Sequence, residues 1–237
     1  MTTNEPTVTR LTERYDRAVT MARTLHAIDV RKGTSTPYLA HVLSASALVL
    51  EHEGSEEQAI AALLHDVVED HGGLPRLAQI RAEFGDGVAA MVEACSDSIV
   101  EDRNDKLPWW DRKVAYLEHL DASPDDAVLV TASDKLHNAR AVLVDYLTIG
   151  DDLWGKFNAA AGRAGTMWYQ RRVAEVLRGR LRDIGGAGSP ADRLGQELQR
   201  TVDQLFDAVG DQATAAIVAS EQSSSDAKEA EVRSTPR

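Results

Sequence analysis

Apolar residues recur three and four positions apart along most of this chain, and this spacing constrains its fold more than any other feature. In one segment the apolar positions are Leu11, Tyr15, Val19, Ala22 and Leu25, and in another they are Leu194, Leu198, Val202, Leu205 and Phe206. Side chains with this spacing share one face of an α-helix. Alanine and leucine are abundant and runs of β-branched residues are short, so we predict an all-α fold.

Turn-forming residues divide the chain into predicted helices and domains. We predict helices over 8–28, 38–53, 154–182 and 192–209, with loop chemistry at 29–37 and 185–190. Ser55 is the predicted cap of the helix that ends near Asp70. We expect one domain over 1–182, a linker and C-terminal helix over 183–210, and a disordered tail over 211–237, because the tail has little to bury.

Composition and charge exclude several classes of protein. The single cysteine, Cys95, rules out an internal disulfide and fits a reducing compartment. No apolar stretch is long enough to cross a membrane, and the amino terminus lacks the order of a signal peptide, so we expect a cytoplasmic protein without a membrane partner. The net charge of -12 argues against nucleic-acid binding, but it allows a small phosphorylated substrate if cations are concentrated in one pocket.

The run from Ala61 to Asp70 carries four ionisable side chains near the end of a predicted helix. In a continuous helix His65 would lie over Glu69, and Asp66 over Asp70. An imidazole and three carboxylates this close would repel each other or stay unsatisfied if they were buried with nothing to bind. A divalent cation would resolve the conflict, because neutral imidazole and carboxylates are ordinary metal ligands. The sequence therefore predicts a metal site that needs further ligands from elsewhere in the chain.

Three other features have both a structural and a functional interpretation. Asp134 interrupts an apolar helix, and buried carboxylates are rare unless they are paired or bind a metal. His41, near the start of another helix, would by itself fit a structural role more often than a ligand role. Arg31 and Lys32 lie in a loop with three hydroxyl side chains, which could hold a phosphate or be a solvated basic turn.

Together, His41, the pair His65-Asp66, and Asp134 follow the order His…His-Asp…Asp, each on a predicted helix. This order resembles the HD superfamily of metal-dependent phosphohydrolases. Three local segments are similar to the hydrolase domain of the RelA/SpoT family, above all to its stand-alone small alarmone hydrolases. These segments run over 31–41, 62–70 and 134–140, and the resemblance covers roughly residues 8–180.

The resemblance implies an HD-domain bundle of about ten helices and one manganese ion (Mn²⁺). It implies that the metal ligands are His41, His65, Asp66 and Asp134, and that the catalytic pair is Glu69 and Asp70. The implied reaction is hydrolysis of the bond between the 3′ oxygen of guanosine tetra- or pentaphosphate and its pyrophosphate. The implied substrate-binding residues are Arg31, Lys32, Asn138, Lys106 and Arg112, the last two preceded by a loop with no close counterpart in the family.

Some features depart from the family pattern and leave alternatives open. The segment Cys95-Ser96-Asp97-Ser98 stands where the family has a Val-Thr-Lys-like sequence, so base recognition could differ. The same chemistry could act on an adenosine alarmone or on the 2′-phosphate of NADPH. A non-catalytic regulatory HD module is a further alternative, which the loss of a ligand or of Glu69-Asp70 would have favoured. We find no synthetase motif and expect degradation of the alarmone without synthesis; the sequence leaves the oligomeric state open.

Overall fold

Helices form most of the residues that this computed structural model describes, which are 8–96, 107–157 and 161–210. The α-helices are α1 (Glu13–Leu25), α2 (Leu39–Glu51), α3 (Glu56–Leu64), α4 (Val67–Asp70), α5 (Gly73–Phe84), α6 (Asp86–Cys95), α7 (Trp109–Asp121), α8 (Asp125–Ile149), α9 (Gly162–Gly185) and α10 (Pro190–Val209). A 3₁₀ helix, Gly150–Lys156, follows α8. Apart from an isolated β-bridge between Val30 and Pro37, the described ranges contain no extended pairing, which confirms the all-α fold.

Three of the helices have a side chain that caps their N-terminus. The Thr12 hydroxyl accepts from the backbone N–H of Arg14 at the start of α1, and Ser189 accepts from Asp192 at the start of α10. Ser55 and Gln58 form a reciprocal capping box at the start of α3, as predicted for Ser55. These contacts satisfy backbone donors that the first turn of a helix leaves unpaired.

The predicted continuous helix over 154–182 is wrong at its beginning. The 3₁₀ helix includes Trp154 and ends at Lys156, Phe157 is extended, and α9 begins only at Gly162. Gly150 and Gly162 have φ of 60° and 52°, a left-handed conformation that interrupts a helix and that glycine adopts without a steric penalty. The spacing of hydrophobic residues alone does not predict such breaks.

The long helix α8 lies at the centre of the bundle. It contacts α2, α3, α6, α9 and α10, and its residues 127–134 are all buried. α10 packs on α8 and α9 through Leu194, Leu198, Val202 and Leu205, each fully buried. The interior of the molecule therefore includes a buried carboxylate, Asp134, on its central helix.

Several sequence-based predictions concern residues outside the described ranges. The tail over 211–237, most of the loop around 97–106 and the cation Lys106 all lie there. Within the described ranges, no helix combines the length and the apolar content that crossing a membrane requires.

Candidate metal and nucleotide site

Three parts of the bundle bring the four predicted ligands together. His41 lies in the first turn of α2, Asp134 lies in the middle of α8, and His65-Asp66 connects α3 to α4. The expectation of one continuous helix through Asp70 is wrong, because α3 ends at Leu64 and α4 begins at Val67. The two turn residues, His65 and Asp66, thus lie at a break between helices, where both side chains reach the same neighbours.

The ligand atoms lie close to one another in the interior. His65 Nε2 is 2.9 Å from Asp66 Oδ2 and 3.5 Å from Asp134 Oδ1. His41 Nε2 is 3.1 Å from Asp134 Oδ1 and 3.6 Å from Asp66 Oδ2. Donor atoms of His41, His65 and Asp66 all lie within 4.8 Å of one another, and Asp134 approaches both imidazoles from α8.

Both imidazole Nε2 atoms are buried and lack a hydrogen-bond partner. A buried nitrogen near a carboxylate oxygen normally forms a hydrogen bond, because an unsatisfied polar group is costly. Here His41 and His65 are at most 2% exposed, and their nitrogens face carboxylate oxygens without hydrogen-bond geometry. Two imidazoles and two carboxylates in this arrangement fit a divalent cation.

The charges at this position favour a cation. Burial alone would lower the pKa of His65, but the carboxylates of Asp66 and Asp134 raise it well above its ordinary value. Burial alone would raise the pKa of Asp66, but His65 and His41 hold that of its carboxyl well below the usual range. Lys135 and His65 likewise hold the pKa of the Asp134 carboxyl well below its usual range, against the effect of burial. The two carboxylates are therefore ionised, and their field attracts positive charge to the point between them.

Hydrogen bonds on the far side of each ring set its orientation. His65 Nδ1 lies 2.8 Å from the Ala62 carbonyl and donates to it, so Nε2 is the nitrogen at which a metal would take the place of a proton. His41 Nδ1 lies 2.8 Å from Nδ1 of His137. Burial and the neighbouring His41 and Arg31 lower the pKa of His137 to about 4. A neutral His137 can accept the proton of His41 Nδ1, which again leaves Nε2 of His41 facing the carboxylates.

The carboxylates are held by contacts that sequence reasoning missed. The Tyr38 hydroxyl donates to Asp66 Oδ2, and Lys135 Nζ lies 2.7 Å from Asp134 Oδ2. Asn138 Nδ2 donates to Asp134 Oδ1 at 2.5 Å, and Asn138 Oδ1 accepts from Arg31 at 2.8 Å. Arg31 and Asn138 were expected to bind substrate; the structure also links them to Asp134.

A cavity of about 510 Å³ adjoins the ligand cluster on the side of His41. Three predicted substrate-binding residues, Arg31, Lys32 and Asn138, line it. Lys113, Lys135 and Lys156, which were not predicted, line it as well. Arg112 is not among the lining residues; its Nε donates to the Leu107 carbonyl at 3.1 Å. The cavity wall also includes Trp109, Phe157 and Tyr169.

Gly33 packs against Lys156, one of the residues that line this cavity. Its φ is 73°, and a Cβ built there would lie 2.8 Å from Cδ of Lys156. A larger residue at this position would hold a strained backbone conformation and would push the Lys156 stem away. This contact holds Lys156, whose Nζ lies 3.3 Å from Asp145, beside Arg31 and Lys32.

The predicted catalytic pair lies on α4, directly after the ligand Asp66. Glu69 and Asp70 are half-buried, and the backbone N–H of Asp70 donates to the Asp66 carbonyl at 2.9 Å. Neither residue is among those that line the 510 Å³ cavity. They are thus one helical turn from the ligand cluster and outside the cationic wall.

Comparisons with known proteins agree with this geometry. A family model described as HD domain matches residues 18–165. The Xenopus tropicalis protein named guanosine-3′,5′-bis(diphosphate) 3′-pyrophosphohydrolase MESH1 is 38% identical over 108 residues, which are 44% of this chain and 55% of that protein. The Escherichia coli K12 bifunctional (p)ppGpp synthase/hydrolase SpoT is 31% identical over 137 residues, which are 55% of this chain and 18% of SpoT. The chain thus spans about half the length of the first relative and less than a fifth of the second.

Two solved structures share the architecture. One, described as a metazoan ortholog of SpoT that hydrolyzes ppGpp, has a TM-score of 0.61 and 23% identity, covering 85% of this chain and 98% of its own. A Listeria monocytogenes EGD-e protein has a TM-score of 0.56 and 27% identity, covering 70% of this chain and 99% of its own. The first likeness shows the fold, and the family match spans more than half of the chain. With its His…His-Asp…Asp cluster assembled on α2, the α3–α4 turn and α8, this chain belongs to the HD domain family.

Proposed function

We propose that this protein is a metal-dependent phosphohydrolase that removes the 3′-pyrophosphate of guanosine tetra- or pentaphosphate, giving GDP or GTP and pyrophosphate. The observation that carries this proposal is the position of the cationic cavity beside the buried His/Asp cluster. Relatives named for this activity support the choice of substrate.

The cationic wall fits a substrate with several phosphates. Five of the described lining side chains are lysine or arginine, and one, Asp145, is a carboxylate. This concentration of cations occurs in a chain whose net charge is -12, so the cavity differs in sign from the molecule as a whole. Arginine and lysine are the usual partners of phosphate oxygens, and the rings of Trp109, Phe157 and Tyr169 offer apolar faces to a nucleoside.

We further propose that His41, His65, Asp66 and Asp134 bind one divalent cation, and that this cation is Mn²⁺. Two imidazoles and two carboxylates suit manganese as well as other first-row metals. A cation bound there would polarise a phosphoryl oxygen and lower the pKa of a coordinated water. The hydrogen bonds of His65 to Ala62 and of His41 to His137 keep both rings in the orientation that such binding requires.

Glu69 and Asp70 are the proposed catalytic pair. They follow Asp66 by three and four residues on α4, and the backbone N–H of Asp70 donates to the Asp66 carbonyl. In the proposed reaction Glu69 orients the attacking water and accepts its proton, while Asp70 holds that water in line with the scissile bond. Arg31, Lys32, Lys113 and Lys156 bind the phosphates and so hold the 3′-pyrophosphate in place. Lys106 and Arg112 stay predictions as phosphate-binding residues.

The domain boundaries are also proposals. We propose that the hydrolase domain takes in residues 1–182 and that α10 stabilises it from outside the matched family region. Its packing on α8, the helix that carries Asp134, supports this role. The expected cytoplasmic location stays a prediction, which fractionation of cells would test.

The test is turnover by the purified 237-residue chain with a panel of substrates and metals. Guanosine tetraphosphate, its adenosine analogue and NADPH are offered separately with Mn²⁺, Mg²⁺ or Zn²⁺, before and after treatment with a chelator. We expect pyrophosphate release from the guanosine compound with Mn²⁺ and none after chelation. Phosphate release from NADPH alone, or activity that survives complete metal removal, would contradict the proposal.

A further inference from the structure

A second cluster of histidine and aspartate lies away from the proposed catalytic ligands. His26 caps the end of α1, Asp29 lies three residues later in the loop, and His71 caps the end of α4. Asp29 Oδ2 is 2.8 Å from His26 Nδ1 and 2.7 Å from His71 Nε2, and the two nitrogens are 3.2 Å apart. Two imidazole nitrogens from distant parts of the chain therefore meet at a single carboxylate oxygen.

Protons alone satisfy this arrangement poorly. If both nitrogens donate to Asp29 Oδ2, two N–H groups point at one oxygen while their nitrogens are only 3.2 Å apart. If one nitrogen is unprotonated, its lone pair faces a carboxylate oxygen less than 3 Å away. A divalent cation replaces the shared protons and attracts all three donor atoms.

The distances and donor types suit a zinc-type ion. The triangle formed by the three atoms is small enough that one point lies about 2.1 Å from each of them, which is the usual length of zinc bonds to nitrogen and carboxylate oxygen. Two imidazoles and one carboxylate with an open fourth position are a common ligand set for Zn²⁺. The His26 side chain is fully buried, whereas those of His71 and Asp29 are 23% and 34% exposed, so an ion and a water ligand can reach the open side.

The surrounding contacts hold the three residues in place without a metal. The backbone N–H of Tyr38 donates to the Asp29 carbonyl at 2.8 Å, and Arg76 Nε donates to the His71 carbonyl at 3.0 Å. The His26 ring packs on Tyr38 with centroids 4.8 Å apart. Burial lowers the pKa of His26 more than its hydrogen bond to Asp29 raises it, so its imidazole is neutral at neutral pH.

This cluster is separate from the proposed catalytic ligands. The ring of Tyr38 lies between His26 and His41, 4.8 Å from the first imidazole and 5.3 Å from the second. We propose that His26, Asp29 and His71 form a second metal site that binds zinc or a similar transition-metal ion, with water as the remaining ligand. Such an ion joins the loop that carries Arg31 and Lys32 to the end of the helix that carries Glu69 and Asp70.

The test measures bound metal, so it does not depend on the proposed activity. Zinc bound per chain is determined by equilibrium dialysis and metal analysis for the wild-type chain of 237 residues, Asp29→Asn, Asp134→Ala and the double variant. Asp29→Asn keeps the size of the side chain and one acceptor for the histidines while it removes the carboxylate charge. We expect Asp29→Asn to lower the bound zinc by one equivalent both in the wild-type chain and in Asp134→Ala.

Further variants distinguish the loss of a metal ligand from a general loss of folding. His71→Gln should repeat the loss of one equivalent, whereas His52→Gln, at the end of α2, should not. In the Asp134→Ala background, zinc should raise Tm. In the same background, Asp29→Asn should weaken zinc binding by at least about 100-fold. Loss of a metal ligand weakens binding more than loss of a residue that only supports a ligand, which costs about 10-fold to 100-fold. Unchanged zinc stoichiometry in Asp29→Asn in both backgrounds, with helical content retained, would overturn the proposal and leave a hydrogen-bonded contact only.

Discussion

The buried ligand cluster and the cationic wall of the cavity differ in how the chain builds them. His41, His65 and Asp134 are at most 5% exposed and are held by packed helices and the turn that joins two of them. Arg31 and Lys32 come from a loop, and Lys156 comes from a 3₁₀ helix that follows a glycine break. The positions of the predicted ligands are therefore fixed by the core, whereas these cations of the cavity wall come from connecting segments, which tolerate sequence variation better than packed helices do.

Asp134→Ala is the strongest way to break the cluster. It removes a carboxylate that approaches both imidazoles, and it leaves Lys135 without its buried partner. We expect loss of the catalytic metal and of all measurable turnover. Metal analysis and a pyrophosphate-release assay check both effects, and Asp126→Ala on the exposed first turn of α8 is the control. Full occupancy by manganese in Asp134→Ala would remove this residue from the ligand set.

Glu69→Gln tests whether metal binding and catalysis are separable. The amide cannot accept a proton, but no ligand of the cluster is lost. We expect kcat to fall by roughly 10²–10⁴, the range for a general acid–base group, while bound metal is unchanged. A fall of this size with normal metal content supports the role of Glu69, and a kcat within about twofold of the wild type contradicts it.

Lys156→Met tests the cationic wall. Methionine keeps an aliphatic stem against Gly33 but removes the charge that lines the cavity. We expect KM to rise by about 10-fold to 100-fold, equivalent to the roughly 1.5–3 kcal/mol assigned to a hydrogen bond with a charged group, with kcat and metal content nearly constant. The same substitution at the exposed Arg200 of α10 is the control. An unchanged KM would exclude Lys156 from phosphate binding.

The smallest expected effect concerns the pH dependence of stability. The pKa of His137 is lowered from 6.5 to about 4 in the folded chain. Between pH 6.5 and about pH 4, the unfolded chain therefore binds a proton at this residue and the folded chain does not. The free energy of unfolding therefore decreases as the pH falls from 6.5 towards 4, and His137 does not change it above pH 6.5. When the pH is lowered from about 7.5 to about 4.5, we expect the Tm of His137→Gln to decrease less than that of the wild type. Parallel pH profiles of the two proteins would contradict this assignment.

Sequence reasoning could single out the predicted ligands because their residue types and their order along the chain are visible in one dimension. Asp134 was found as a charge within an apolar helix, and His65-Asp66 as a crowded ionisable run. The break between α3 and α4 was missed, since helical spacing continues across it. Lys113, Lys156 and the cluster of His26, Asp29 and His71 were missed because their meeting depends on loop paths and tertiary packing, which local pattern does not encode.

The packing of α10 on α8 has a consequence for the order in which the chain is synthesised. α8 supplies Asp134, but one side of that helix is covered only when α10, which ends at Val209, has packed against it. A nascent chain that has just passed Asp134 would expose this apolar side to water. We therefore expect the packing around the helix that carries Asp134 to be completed only late in synthesis, after α10 has left the ribosome.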